Sequence, residues 1–262
     1  MRAAAHALTM ALALALLAAA AAAAEGIAPE DKHSGTFFAT RETQATQEDD
    51  RSNPAFLWVA QGEALWSAPA GPDGRSCASC HGDAGETMRG VAARYPAVDA
   101  GSGRLLDLEG RILQCRAERQ HAEPWRWESD ELLGITAYVA TQSRGLPISV
   151  AIEGPARPFF EAGRAAFFQR RGQLNLACSN CHDDNWGKQL RGDLLSQGQP
   201  TGYPIYRLEW QRMGSLQRRL RSCASGVRAE LPAYGAPESA ALELYLAWRA
   251  AGLPVETPAV RR

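Results

Sequence analysis

Cys77-Ala-Ser-Cys80-His81 and Cys178-Ser-Asn-Cys181-His182 are two pentapeptides of one form, C-x-x-C-H, set 101 residues apart. Two thiols three residues apart lie on one side of a helical turn, where they can add to the two vinyl groups of one haem. The histidine that follows then points its imidazole at the iron. A structural zinc site is a competing use of the same residues, since each half also holds one further cysteine and so offers a Cys₃His set. Against zinc, adjacent residues such as Cys80 and His81 rarely both reach one small ion. Thioredoxin-like chemistry would need a βαβ context that the sequence lacks.

The remaining cysteines recur as well. Cys115 follows Cys77 by 38 residues, and Cys223 follows Cys178 by 45. One reading is a Cys115–Cys223 disulfide, or two buried thiols. The other is a thiolate as sixth ligand of each iron, which would favour the ferric state and depress the potential. Other sixth ligands are poorly placed: Met88 is seven residues past His81, Met213 is 31 past His182, and only His33 and His121 are spare histidines of the mature chain. Six arginines (Arg207, Arg212, Arg218, Arg219, Arg221 and Arg228) crowd around Cys223, with Glu209 opposing. Arginine stabilises thiolates and grips oxyanions through its planar fork. If the segment is helical, Arg219 shares a face with Cys223. Arg111, Arg116 and Arg119 form a thinner set around Cys115, offset by Glu118.

The elements that must position these groups also repeat. Gly62-Glu-Ala-Leu-Trp66 and Gly163-Arg-Ala-Ala-Phe167 each close a helix-like stretch 15 residues before their motif. Ile135–Pro147 parallels Leu242–Pro254 at an offset of 107, which implies a six-residue insertion in the second copy. Asp130 and Glu131, then Pro237 and Glu238, read as helix starts, and Gly145 and Gly252 as stops. The expected fold is mainly α: two tandem cytochrome c-like domains over residues 54–150 and 151–262, each with one covalent haem c. The Pro- and Gly-rich stretch 146–158 reads as a linker, and 25–53 as a polar N-terminal arm. Residues 1–24, with Arg2, an alanine-rich apolar run and Ala22 and Ala24 before Glu25, have the layout of a cleaved signal peptide, which predicts export to the periplasm. The 262 residues carry a net charge of −1 and are 45% hydrophobic, values that exclude a disordered or fibrous chain and give no reason to expect nucleic acid.

Across about 200 residues the chain resembles the SoxA family, dihaem c-type cytochrome subunits of the SoxAX complex of sulfur-oxidising bacteria. The resemblance is most specific in TGYPIYRLEWQRMGSLQRRLRSCASGVRAE and LELYLAWRAAGLPVETPAVRR. It implies an L-cysteine S-thiosulfotransferase that conjugates thiosulfate oxidatively to a cysteine of SoxY within SoxYZ, with SoxX as partner and a cytochrome c as electron acceptor. Residue by residue, it implies that Cys77 and Cys80 hold haem 1, with His81 and Cys115 as axial ligands. Cys178 and Cys181 hold haem 2, with His182 and Cys223 as axial ligands. Cys223 is implied as the active-site cysteine, carried as a persulfide, and Arg219 as the thiosulfate-binding residue. Read without the resemblance, the motifs also suit a dihaem electron carrier with no substrate or a dihaem peroxidase-type enzyme. The arginine run before Cys223 favours the transferase.

Overall fold

A computed structural model of the chain describes residues 27–262. The signal peptide expected over 1–24 lies outside the described residues. Among the described residues no helix is long and apolar enough to cross a membrane. Residues 27–32 belong to a leading unit and contain one 3-10 turn, Pro29–Asp31. Residues 33–262 form a second, larger unit.

That larger unit repeats one core order of elements, with a short extra helix in the first copy and an extra hairpin in the second. After α1 (Arg41–Glu48), the first copy runs α2 (Phe56–Ser67), α3 (Cys77–His81), α4 (Ala84–Thr87), β1 (Ala97–Val98), β2 (Leu105–Leu106), α5 (Leu108–Glu118) and α6 (Asp130–Thr141). The second runs α7 (Arg157–Phe168), α8 (Cys178–His182), β3 (Gln189–Leu190), β4 (Asp193–Leu194), β5 (Ile205–Arg207), β6 (Arg212–Gly214), α9 (Leu216–Gly226) and α10 (Pro237–Arg249), and β7 (Ala259–Arg261) closes the chain. The strands are two or three residues long, so the fold is mainly helical, as the sparse strand signals predict.

In each copy the first and last helices cross at a residue without a side chain. A Cβ built on Gly62 of α2 would fall on the Gly134 carbonyl of α6, and one on Gly163 of α7 would fall on the Ala241 carbonyl of α10. Glycine is what lets the two backbones touch. Around these crossings the cores close: Leu132, Leu133 and Ile135 in the first copy and Phe167, Leu244 and Tyr245 in the second are fully buried. Phe160 and Trp248 pack their rings onto Tyr245 at 5.6 Å each.

Two expectations change in detail. The stretch 146–158 is not a free linker, because its start pairs with the matching turn of the second copy. Gly145 N–H donates to Val255 O and Val255 N–H to Leu146 O, both at 2.9 Å, while Ile148 N–H donates to Leu253 O and Gly252 N–H to Ile148 O. The arm is also structured: α1 is capped by Thr40, and Gln47 Oε1 accepts from Val260 N–H at 3.1 Å, which ties the helix to β7. β7 runs parallel to β5 in a three-stranded sheet of order β6-β5-β7. Polar composition alone could not show this, since the anchors are buried amide side chains.

The helices carrying Cys115 and Cys223 meet at their N-termini. Asp107 caps α5 by accepting from Gly110 N–H at 2.6 Å, and its other oxygen accepts from Gln217 Nε2 of α9 at 2.6 Å. Gln217 Oε1 accepts in turn from Gly235 N–H at 2.7 Å. Glu109 and, from α10, Glu243 join them beside a chamber of about 80 Å³ that Thr136 and Tyr203 also line. All three carboxyls are buried. Burial first, and Asp107 next, push Glu109 up to about 8, with Glu128 adding to the rise. Burial likewise raises Asp107 and Glu243. An acid whose folded pKa is raised contributes its full stabilisation below the unfolded carboxyl range and loses it as pH rises through the folded value. The holoprotein should therefore unfold at progressively lower temperature between about pH 5 and 9, and Glu109→Gln should flatten that decline. Thermal melts across this range test it, and parallel slopes for parent and variant would count against it.

Candidate functional site

A five-residue helix has few internal hydrogen bonds, so its termini must be held from outside. At α3, Ser76 Oγ accepts from Ser79 N–H at 3.0 Å and Ser79 Oγ accepts from Ser76 N–H at 3.1 Å, a reciprocal cap. Trp66 Nε1–H donates to Gly82 O at 3.0 Å just past the helix, and its ring lies 5.9 Å from that of His81. At α8, Asn180 Oδ1 accepts from Ala177 N–H at 3.0 Å. Arg249 of α10, itself buried, pairs with Asp183 at 2.5 Å and so fixes the residue after His182.

His182 is oriented more tightly than His81. Its Nδ1 lies 2.7 Å from the Ser196 carbonyl, a contact that requires N–H at Nδ1 and leaves Nε2 as the lone-pair nitrogen. Gly198, at φ +73°, lies flat against the ring, and a Cβ there would sit 3.1 Å from it. That is the tautomer a haem-ligating histidine needs.

The sequence-predicted groups assemble into two sets. Cys77, Cys80 and Cys115 are close enough for their charges to interact. Cys223 lies likewise beside Cys178 and Cys181, with His182 next to it. No disulfide joins any of the six cysteines, and Cys115 and Cys223 each stay with their own motif. The other possible iron ligands are engaged elsewhere. Met213 is fully buried in the core, His33 stacks on Phe37 at 3.9 Å, and His121 bonds Asp73 at 3.0 Å. Met88 packs in the core of the first copy. Two thiols on one turn, an imidazole beside them and a third thiol approaching from another helix fit a covalently held haem c with His and thiolate as axial ligands.

The two sets differ electrostatically. Burial raises Cys115, with Arg111 and Arg119 opposing it only in part. Burial also pushes Cys223 up, but the neighbouring His182 and the charges of Arg219 and Arg207 more than offset it and bring the thiol down to about 7. Cys223 is exposed to solvent.

The arginine cluster does not converge as its spacing suggests. Arg212 pairs with Asp130 at 3.1 Å, and Arg218 with Glu128 at 3.7 Å while lying 4.2 Å over Trp210. Arg221 donates to Pro232 O and covers Tyr234, and Arg228 reaches Gln173. Of the arginines, Arg219 and Arg207 are the ones whose charges lower Cys223 most. Among the described residues, the Arg219 side chain has no carboxylate or hydrogen-bond partner; its charge is felt by Cys223 and then by Tyr203, with Glu209 and Asp193 further off. Sequence reasoning missed Tyr203. The available signal was the repeated Tyr-Pro pair, Tyr95-Pro96 and Tyr203-Pro204.

Comparison with known proteins identifies the family. Residues 61–148 match the family described as SoxA/TsdA, cytochrome c domain. The L-cysteine S-thiosulfotransferase subunit SoxA of Pseudaminobacter salicylatoxidans is 42% identical over 230 residues, covering 87% of this chain and 80% of the relative. That of Paracoccus pantotrophus is 41% identical over 229 residues, covering 87% and 79%. In the crystal structure of SoxXA from P. pantotrophus, the matching chain superposes with a TM-score of 0.87 at 40% identity, covering 92% of this chain and 90% of that one. With a mainly helical cytochrome c-like fold, a donor set suited to haem c and relatives of this identity and coverage, the chain belongs to the SoxA family.

Proposed function

We propose that this chain carries two haem c groups and acts as an L-cysteine S-thiosulfotransferase, conjugating thiosulfate to a cysteine of the SoxY carrier at the second haem. The observation that carries the reading is the pairing of the Cys223 thiol, facing His182, with the unpartnered guanidinium of Arg219. In this reading the cytochrome c-like domains are 54–150 and 151–262, with His81 and Cys115 as axial ligands of haem 1 and His182 and Cys223 as those of haem 2. SoxX is the partner subunit, in keeping with the solved SoxXA complex of P. pantotrophus. The leading apolar segment supports a periplasmic setting.

The overall reaction joins the carrier thiol to the outer sulfur of thiosulfate. One S–S bond forms, the S–H bond breaks, and one proton and two electrons leave. Haem c, when bound, supplies the one-electron route by which those electrons pass to a cytochrome c acceptor. The chain's own residues do the rest. Arg219 offsets the charge of a dianion approaching a thiolate, an encounter that is otherwise repulsive. His182, its Nδ1–H fixed on Ser196, holds one side of the site. Cys223, the persulfide-bearing position, holds the other.

Three outcomes follow from this assignment. Denatured mass should exceed the polypeptide by two haem masses, and a mass increment of one haem would remove one motif from the assignment. Cys223→Ser and Cys115→Ser should each disturb a haem spectrum, but only the former should abolish thiosulfate conjugation; equal losses would contradict a single active site. Arg219→Ala should lower turnover with SoxX and SoxYZ by roughly 30-fold, equivalent to about 2 kcal/mol, with both haem spectra kept. Arg219→Lys should recover part of this, since it restores charge without the fork. Near-normal turnover in Arg219→Ala would remove it from the site.

A further inference from the structure

The two thiol-bearing helices lie in one framework aligned at an offset of 108. Tyr95-Pro96 corresponds to Tyr203-Pro204, N-cap Asp107 to N-cap Ser215, Arg111 to Arg219 and Cys115 to Cys223. The strand registers agree residue for residue: Ala97 pairs Leu106 as Ile205 pairs Gly214, and Val98 pairs Leu105 as Tyr206 pairs Met213. The next position along is Asp99 in the first copy and Arg207 in the second. It has the same cross-strand partner in both, Arg104 and Arg212. At one place in one framework, the charge is inverted.

The consequences for the two arginines are opposite. Arg111 is fully engaged: Nη2 pairs with Asp99 at 2.9 Å, Nε donates to Tyr95 Oη at 3.1 Å and Nη1 donates to Gln114 Oε1 at 2.7 Å. Asp99 is itself held by Ser102 through N–H at 2.9 Å and Oγ at 2.6 Å, and its side chain is only 13% exposed. Arg219 has no such partner. Near it stands a second cation, Arg207, which is buried; it reaches Glu209 at 3.1 Å, but that carboxylate is 50% exposed and its charge is screened by water. Arg207 Nε is buried without a hydrogen-bond partner among the described residues.

We infer that the charge at this strand position decides which thiolate pocket takes an anion: Asp99 closes the first pocket by occupying Arg111, and Arg207 is a second anion-binding residue that opens the other. The inference rests on the transferase reading and extends it, because it assigns thiosulfate selectivity between two similar sites to one carboxylate and one guanidinium. A guanidinium already satisfied by a fixed internal carboxylate has no fork left for a dianion, and that carboxylate also repels it.

The test is thiosulfate titration of the ferric holoprotein with SoxX, read by calorimetric stoichiometry and by the separate spectra of the two haems. The parent should bind one equivalent and perturb haem 2 alone. Asp99→Asn should bind a second equivalent and perturb haem 1. Arg207→Asp, which installs the carboxylate in the second pocket, should abolish the haem 2 response, whereas Arg207→Gln should raise half-saturation and KM about tenfold with a smaller change in kcat. Retained covalent haem and melting temperature confirm folding, and the two pockets give independent tests should one variant fail to fold. If the parent responds at haem 2 but Asp99→Asn gains no haem 1 response, or Arg207→Asp keeps its own, the inference is overturned and the transferase reading stands. If the parent binds no thiosulfate at either haem, the transferase reading falls and this inference with it.

Discussion

A helix of five residues cannot hold itself in shape, yet α3 and α8 must each present two thiols and an imidazole in fixed relation. The fold is organised around supplying that rigidity from outside. Caps fasten the starts of the short helices, and the Trp66 bond to Gly82 and the Arg249 pair with Asp183 fasten their ends. The long helices that provide these anchors are themselves locked at the Gly62 and Gly163 crossings. Precision at the sulfur atoms is therefore inherited from backbone contact between helices several residues away.

Two sites built on one frame need not behave alike. The backbone places a thiol and an arginine one helical turn apart in both copies, and side chains outside that pair set what each does. In the second copy His182 is fixed by Ser196, Gly198 lies against its ring, and the thiol is brought down to about 7. In the first, His81 is exposed, Cys115 stays above the ordinary thiol range and its arginine is consumed internally. The difference comes from a handful of polar groups.

The sequence made the thiol–imidazole motifs and their flanking helices legible, because haem attachment dictates a short local pattern and helix crossing dictates glycine at Gly62 and Gly163. It also made Cys115 and Cys223 legible as counterparts. It did not show which arginines face the thiol: linear crowding carries no direction, and four of the six turn away to carboxylates, carbonyls or amides. The relation of Asp99 to Arg207 was hidden by a shift in register. The loop from His182 to Tyr203 is seven residues longer than that from His81 to Tyr95 and contains the β3–β4 hairpin, and one residue is lost again before α10, so the total reads as six. The paired turns and the docking of α1 depend on partners more than a hundred residues away, which no local pattern encodes.

The reciprocal hydrogen bonds between 145–148 and 252–255 bear on how such a chain could be shortened or rebuilt. Each copy leaves its last helix through a turn that exchanges four backbone hydrogen bonds with the other copy's turn. Severing the gene between the halves would leave both products with a raw, ungrouped edge at the same place, an invitation to self-association. A halved chain would therefore tend to rebuild the joint by pairing with a second copy of itself. The seam joins the two copies of the repeat in one polypeptide, and it makes either copy a poor candidate for independent life.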